Sequence, residues 1–191
     1  MIFSSAGHCN ARGTKNEDSG AVGINGRWEA DETVKVRTRV NEILRARGYN
    51  VIEDEPTESL REYLGRIQTG PASVVVEFHF DADDNASANG CSAFVMDDAN
   101  ASSQAFGKEL TTAIHETLGV RVRDGGDGDG IEFESDSHRG RLGLVHKAGA
   151  TALVEICFIS NPDDMAKYDA NFEALCQALA GVIGKYEDLI K

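Results

Sequence analysis

The chain has four cysteines, Cys9, Cys91, Cys157 and Cys176, and no two of them form a C-x-x-C pair. That spacing argues against a thiolate zinc knuckle and against a dense disulfide framework, and leaves reduced, mostly buried thiols. No window supplies the roughly 18 consecutive apolar residues that a membrane helix needs. The opening stretch MIFSSAGHCNARG has no basic n-region and no long apolar core, so no secretory signal is expected. The protein is therefore expected to be made in the cytoplasm and to reach any extracellular target by release. Basic residues are scarce: 19 Lys and Arg face 32 Asp and Glu, a formal net charge of −13. Phosphate binding is driven by clustered Lys and Arg, so nucleic acid is not expected as a partner. The same charge disfavours electrostatic attraction to an anionic membrane or envelope, and stable membrane association is not expected. Internal repeats and linkers are absent, which points to one domain over residues 1–191, with a monomer as the expected state.

What is present alternates between strand and helix patterns. MIFSSAG reads as a first strand ending in a small-residue turn, and 9–28 as a polar, Gly-rich loop. From Glu29 to Arg47 the residues Val36, Val40, Ile43 and Leu44 form a helical stripe that Gly48 stops. YNVI reads as a strand, and TESLREYLGRI as a helix with a capping-box opening at Thr57 and Leu60 on its apolar side. SVVVEFHF reads as a buried strand, DADDNASANG as a loop and CSAFVM as a strand. Phe106, Leu110, Ala113, Ile114 and Leu118 mark another helical face. LGLVH and TALVEICF read as strands, and the stripe from Phe172 to Ile190 as a final helix. The pattern predicts an α/β fold: a single three-layer domain with a mostly parallel, twisted sheet flanked by helices.

The acidic stretch RDGGDGDGIEFESDS invites comparison with an EF-hand calcium loop. Asp127, Asp129 and Gly130 fit that pattern, but Gly125 stands at the first ligand position and Asp136 at the last. A solvated loop over 124–137, able to cover a cleft, is the better reading.

Chemistry concentrates at the expected strand ends. His8 ends the first strand, His79 lies near the end of the third and Glu155 near the end of the last, while Glu29 opens the first helix. The C-terminal ends of parallel strands share one edge, where open α/β folds bind ligands. Two histidines and a carboxylate are a familiar set for a catalytic metal, and a second carboxylate nearby serves as general base and acid. Each residue also has a plain alternative. A lone strand histidine is often a hydrogen-bonded core residue, and a first-turn glutamate is often a cap. Glu77 shares the sheet face of His79 and can only support it. His115 reads as a surface residue, and one of His138 and His146 can line a cleft.

The wording around these residues carries further. AGH is followed by DSGAVGINGRWEAD, then VVVEFHFDAD, NGCSAFV and ALVEICFISNPDD. In order and spacing this resembles the zinc-dependent N-acetylmuramoyl-L-alanine amidases of the amidase-3 family, which includes bacterial autolysins and phage endolysins. The resemblance runs from about Ser4 to the final helix. It implies that His8, Glu29 and His79 hold one catalytic Zn2+ and that Glu155 is the catalytic carboxylate. Glu32 competes with Glu29 but fits the spacing after Gly26 less well. The substrate implied is peptidoglycan, cut between N-acetylmuramic acid and the L-alanine of the stem peptide. The compact chain looks most like a phage or prophage endolysin acting on the wall after release.

Departures from the family lie beside the implied ligands. The G-H turn sits in SSAGHCN, without the usual acidic residue before it and glycines after it. The strand that usually reads S-I-H-A-N reads E-F-H-F-D, with Phe80 and Asp81 for Ala and Asn. Two other readings stand beside the amidase. One is a zinc carboxypeptidase on wall peptides, which needs a fixed basic residue for a terminal carboxylate. Arg61, Arg66 and Arg139 are available for that role, and the sequence places none of them. The other is a non-catalytic member of the fold that binds peptidoglycan.

Overall fold

The computed structural model describes residues 1–8, 13–123 and 128–190. Cys9, and the Gly125 and Asp127 positions of the calcium-loop comparison, lie outside the described residues. Continuous apolar runs make the central strands. β1 (Ile2–Ala6), β3 (Val74–Asp81) and β6 (Ala150–Phe158) are buried along nearly their whole length, as expected of parallel strands covered on both faces. β2 (Val51–Glu53), β4 (Ser92–Val95) and β5 (Ile131–Phe133) complete a six-stranded sheet of order β2-β1-β3-β6-β4-β5. All neighbours run parallel except β4, which is antiparallel to β6.

Strand alternation decides which residues see which layer. Val74, Val76, Phe78 and Phe80 of β3, with Ala150, Ala152, Val154 and Ile156 of β6, face one core. There they meet α1 (Glu29–Ala46), α3 (Ala101–Leu118) and α4 (Pro162–Leu189). The intervening positions turn to the opposite face. Phe3 and Val75 pack there against Tyr63 and Ile67 at α2 (Leu60–Arg66), and Leu153 packs with Phe94, Leu142 and Val145. Glu77, His79 and Glu155 belong to this second face by the same parity, and toward the strand ends its cover is thin. Fold class, layers and the predominance of parallel pairing are those predicted.

Four local readings need correction. α2 is capped by Ser59, not Thr57: the Glu62 amide donates to Ser59 Oγ (3.3 Å) while the Ser59 amide donates to Glu62 Oε2 (2.9 Å). Ser59-x-x-Glu62 is the true capping box, since the residue three after Thr57 is Leu60, which cannot reciprocate. Leu60 is exposed, and Tyr63 is the buried residue of that helix. LGLVH is not a strand but a 3-10 turn over Gly143–His146. Its neighbours Leu144 and Val145 are both buried in clusters on the same face of the sheet, whereas an alternating strand would turn one of them away. The acidic stretch is not all loop either. It contains β5, parallel to β4 with Ile131 buried, followed by a 3-10 turn at Glu134–Asp136. Cys91, Cys157 and Cys176 are free and buried, as expected.

Candidate metal centre

At the C-terminal edge of β1 the chain must turn sharply, and small residues allow it. Ala6 donates its amide to Asp54 Oδ1 (3.1 Å), Gly7 donates its amide to Phe78 O (2.8 Å) and Thr33 Oγ1 donates to Gly7 O (2.8 Å). His8 follows at φ 66, a left-handed conformation uncommon for a non-glycine residue. It therefore lies two residues beyond the strand. A Cβ on Gly7 would stand 2.3 Å from His79 Cε1, so glycine is what lets the His79 ring lie against this turn. Gly20, at φ +61, similarly clears Glu29 Oε2 and His8 Cδ2, each 2.5 Å from where its Cβ would be.

Glu29 is fully buried at the start of α1 and is the hub. Its Oε1 lies 2.9 Å from His79 Nδ1 and accepts the Phe80 amide (3.1 Å). Its Oε2 lies 3.1 Å from His8 Nε2 and accepts the Ala21 amide (2.9 Å). Outer contacts set both rings. His8 Nδ1 lies 2.9 Å from Asp18 Oδ2, and His79 Nε2 lies 3.7 Å from Glu77 Oε2. The donor atoms of His8, Glu29 and His79 all fall within 4.8 Å of one another. Glu155 is aligned with His79 on the neighbouring strand, and its Oε2 is inaccessible to solvent and has no hydrogen-bond partner.

The electrostatics call for positive charge here. Burial would raise the Glu29 carboxyl, but hydrogen bonds from His79 and His8 outweigh it and hold Glu29 far below the carboxylate range. Burial would lower both imidazoles, but Glu29 reverses this: His8 is raised, and His79, with Glu77 also beside it, is raised well above its ordinary value. Burial pushes Glu155 up to about 7, against the opposing charge of His79. A buried carboxylate set between two imidazoles, with their donor atoms within 4.8 Å of one another, is a donor set suited to a divalent cation, whose binding would displace the imidazole protons, and borderline N and O ligands favour ions of the zinc class.

The centre opens on a cleft of about 380 Å3. Glu77, His79 and Glu155 line its inner part, and residues 137–139, 141 and 142 its far wall. Glu32, the competing ligand, instead pairs with Arg27 (2.9 Å) and accepts from Tyr168 Oη (3.1 Å), remote in role from the triad. Phe80 is buried edge-on to Tyr168 in the core on the opposite face of the sheet, whereas Asp81 lines the cleft and pairs with Arg123. His138 lines the cleft, whereas His146 pairs with Glu134 (2.8 Å). His115 is exposed, as expected, with its Nδ1 2.7 Å from Val120 O. Arg66 is bound to Glu58 (2.6 Å), while Arg139 reaches the triad, with Nη1 3.1 Å from His8 Nε2.

Two contributors went unassigned in the sequence. Asp18 orients His8, and the D-S-G-A run that contains it was the available signal. Arg139 had none, because its neighbours in sequence are polar and irregular.

Replacing Gly7 with Ala is expected to press on the His79 ring. Gly7→Ala should weaken divalent-cation binding by roughly 10-fold or more and lower stability by about 1–3 kcal/mol. Calorimetric zinc titration and chemical denaturation of the same samples check this, and unchanged affinity would mean that the ring is not held by the turn.

The family model described as N-acetylmuramoyl-L-alanine amidase, Amidase_3, matches residues 2–184. No curated protein sequence matches the chain. Among solved structures, one from Neisseria meningitidis, assigned as an N-acetylmuramoyl-L-alanine amidase, is 27% identical, with 96% of this chain and 94% of that chain covered and a TM-score of 0.73. The catalytic domain of CwlV, an N-acetylmuramoyl-L-alanine amidase from Bacillus (Paenibacillus) polymyxa var. colistinus, is similar in fold. It is 21% identical over 98% of this chain and 97% of that one, with a TM-score of 0.75. The N-acetylmuramoyl-L-alanine amidase of Clostridium difficile 630 is 17% identical, with 98% and 96% covered and a TM-score of 0.76.

Proposed function

Because the chain belongs to the Amidase_3 family of N-acetylmuramoyl-L-alanine amidases, we propose that His8, Glu29 and His79 hold one catalytic zinc ion and that Glu155 is the general base and acid of peptidoglycan amide hydrolysis. The observation that carries this reading is the juxtaposition of the three-donor cluster with Glu155, an unpartnered carboxyl aligned with His79 at the floor of the cleft.

A bound zinc ion supplies an electrophile that acidifies water and polarises the scissile carbonyl. The protein does the rest. The cleft admits the muramoyl-peptide bond against β3 and β6. Glu155 takes a proton from the attacking water and delivers it to the nitrogen of L-alanine as the C–N bond breaks. A carboxyl at about 7 is poised for both transfers near neutral pH. Asp18 holds the Nδ1 proton of His8, which leaves Nε2 as the nitrogen that would hold the cation.

We assign residues 1–191 to one catalytic domain that works as a monomer, of phage or prophage endolysin type. No helix among the described residues is long and apolar enough to cross a membrane. A net charge of −13 provides no electrostatic adhesion to an anionic envelope, so on this reading the wall is engaged through the cleft and not through long-range charge.

Mass spectrometry of digests of purified peptidoglycan tests the reaction. Chelated enzyme should be inert. Zinc should restore release of stem peptides with a free N-terminal L-alanine, and Glu155→Gln should abolish it. Products cut inside the peptide would move the activity to a carboxypeptidase. No product from folded, zinc-loaded protein on several wall types would leave a binding role.

A further inference from the structure

Arg139 sits on the segment between the Glu134–Asp136 turn and the Gly143–His146 turn, which forms the far wall of the cleft. The segment is anchored. Glu134 accepts the Leu142 amide and pairs with His146 (2.8 Å), and the Arg139 amide donates to Ser137 Oγ (3.1 Å). The arginine's own partner is unusual. In a chain with 32 acidic residues, Arg139 makes no ion pair with any carboxylate among the described residues, and its guanidinium Nη1 instead lies 3.1 Å from His8 Nε2. Arg123, the other wall arginine with side-chain partners, is neutralised by Asp81 and Glu132 and held by Ser92 Oγ. Arg139 thus brings to the mouth of the ligand cluster a cation without a close ion pair, whose charge is felt by Asp18 and Glu155.

A guanidinium has only donors. The nitrogen it uses, His8 Nε2, belongs to the ligand set, and one lone pair cannot serve both Arg139 and a cation. With a cation held by His8, the Arg139 N–H groups would be released to the cleft that Arg139 lines together with His79 and Glu155.

We propose that Arg139 is a catalytic residue that donates hydrogen bonds to the oxyanion formed on the scissile carbonyl. This rests on the amidase reading. Water oxygen bonds to the carbonyl carbon and its proton passes to Glu155, while the C=O π electrons move onto oxygen, where Arg139 stabilises the charge. When the carbonyl re-forms, the C–N electron pair leaves with L-alanine, which takes the proton from Glu155. A positive group aimed at the developing charge strengthens its contact in the transition state and not in the bound substrate.

The test uses zinc-loaded full-length protein, a soluble muramoyl-peptide and its phosphinate analogue, which carries a tetrahedral anion in place of the amide. Arg139→Ala should lower kcat by about 100- to 1,000-fold and leave KM within roughly threefold. Arg139→Lys should recover part of the loss, and added methylguanidine should partly rescue the alanine variant. By calorimetry the phosphinate should bind Arg139→Ala about 100-fold more weakly than wild type. Affinity for zinc alone should not fall, since the guanidinium no longer competes for His8. A loss confined to KM, and absent with stem peptides whose carboxylates are amidated, would make Arg139 a substrate-carboxylate anchor and overturn the proposal. Weakened zinc binding would make it structural and also overturn it. Active wild type with an unimpaired Arg139→Ala refutes this inference alone. Wild type inert on every muropeptide, and indistinguishable from Glu155→Gln, refutes the amidase reading and the inference with it.

Discussion

Glu155→Gln is expected to lose activity and gain stability together. With the proposed proton carrier gone, kcat should fall by about 1,000- to 10,000-fold, while zinc content and KM stay near wild type. The stability effect follows from the raised carboxyl. A carboxyl lifted from 4.5 to about 7 in the folded protein contributes stability that is fully present below 4.5 and is lost as pH rises through 7. Glutamine suffers no such loss. In metal-free protein at pH 8 the variant should therefore be more stable than wild type by about 2–3 kcal/mol, or roughly 4–10 °C in Tm. At pH 4 the two should be equal. Parallel assays of turnover and of thermal unfolding against pH check both halves. A variant that is inactive but no more stable at pH 8 would show that Glu155 is not held protonated by its surroundings.

Glu29→Ala should fail differently, losing the metal and the fold's local support at once. Glu29 accepts the Ala21 and Phe80 amides and contacts both imidazoles. Its removal strands two backbone donors and leaves two histidines without their counter-charge. The expected cost is about 3–5 kcal/mol, with zinc affinity down at least about 1,000-fold, more than the loss of an outer-shell partner causes. The pH profile separates this from a generic core defect. The depressed Glu29 carboxyl contributes stability present above 4.5 and lost as pH falls through its lower folded value. The raised histidines contribute stability present below 6.5 and lost as pH rises through their higher folded values. Metal-free wild type should weaken at both limbs, and Glu29→Ala should be flatter at both. Denaturant unfolding across pH, with and without zinc, measures this. A variant that still binds zinc at wild-type affinity would remove Glu29 from the ligand set.

Much of the site could be read before any coordinates. The runs in β1, β3 and β6 are long and apolar, so their existence and parallel pairing follow from burial on both faces. His79 and Glu155 then face the same side by parity, and α1 begins at Glu29. The short elements were not legible for a matching reason. β5 has three residues within Gly- and Asp-rich sequence, too few for any period to show. The Gly143–His146 turn carries strand-like apolar residues whose burial comes from two separate clusters.

By itself the sequence determined what local patterning can express: helical stripes, buried strands, the parity of each side chain and the residue types gathered at strand ends. The family spacing favoured Glu29 over Glu32, but only the tertiary structure shows what each carboxylate meets. These lie three residues apart on one helix, and their roles depend on what stands opposite: two histidines for the first, Arg27 and Tyr168 for the second. It likewise brought Asp18 to His8 and carried Arg139 across 131 residues to the same ring. The order β1-β3-β6 makes neighbours of segments far apart in the chain, and no periodicity within a segment encodes the distance between two of them.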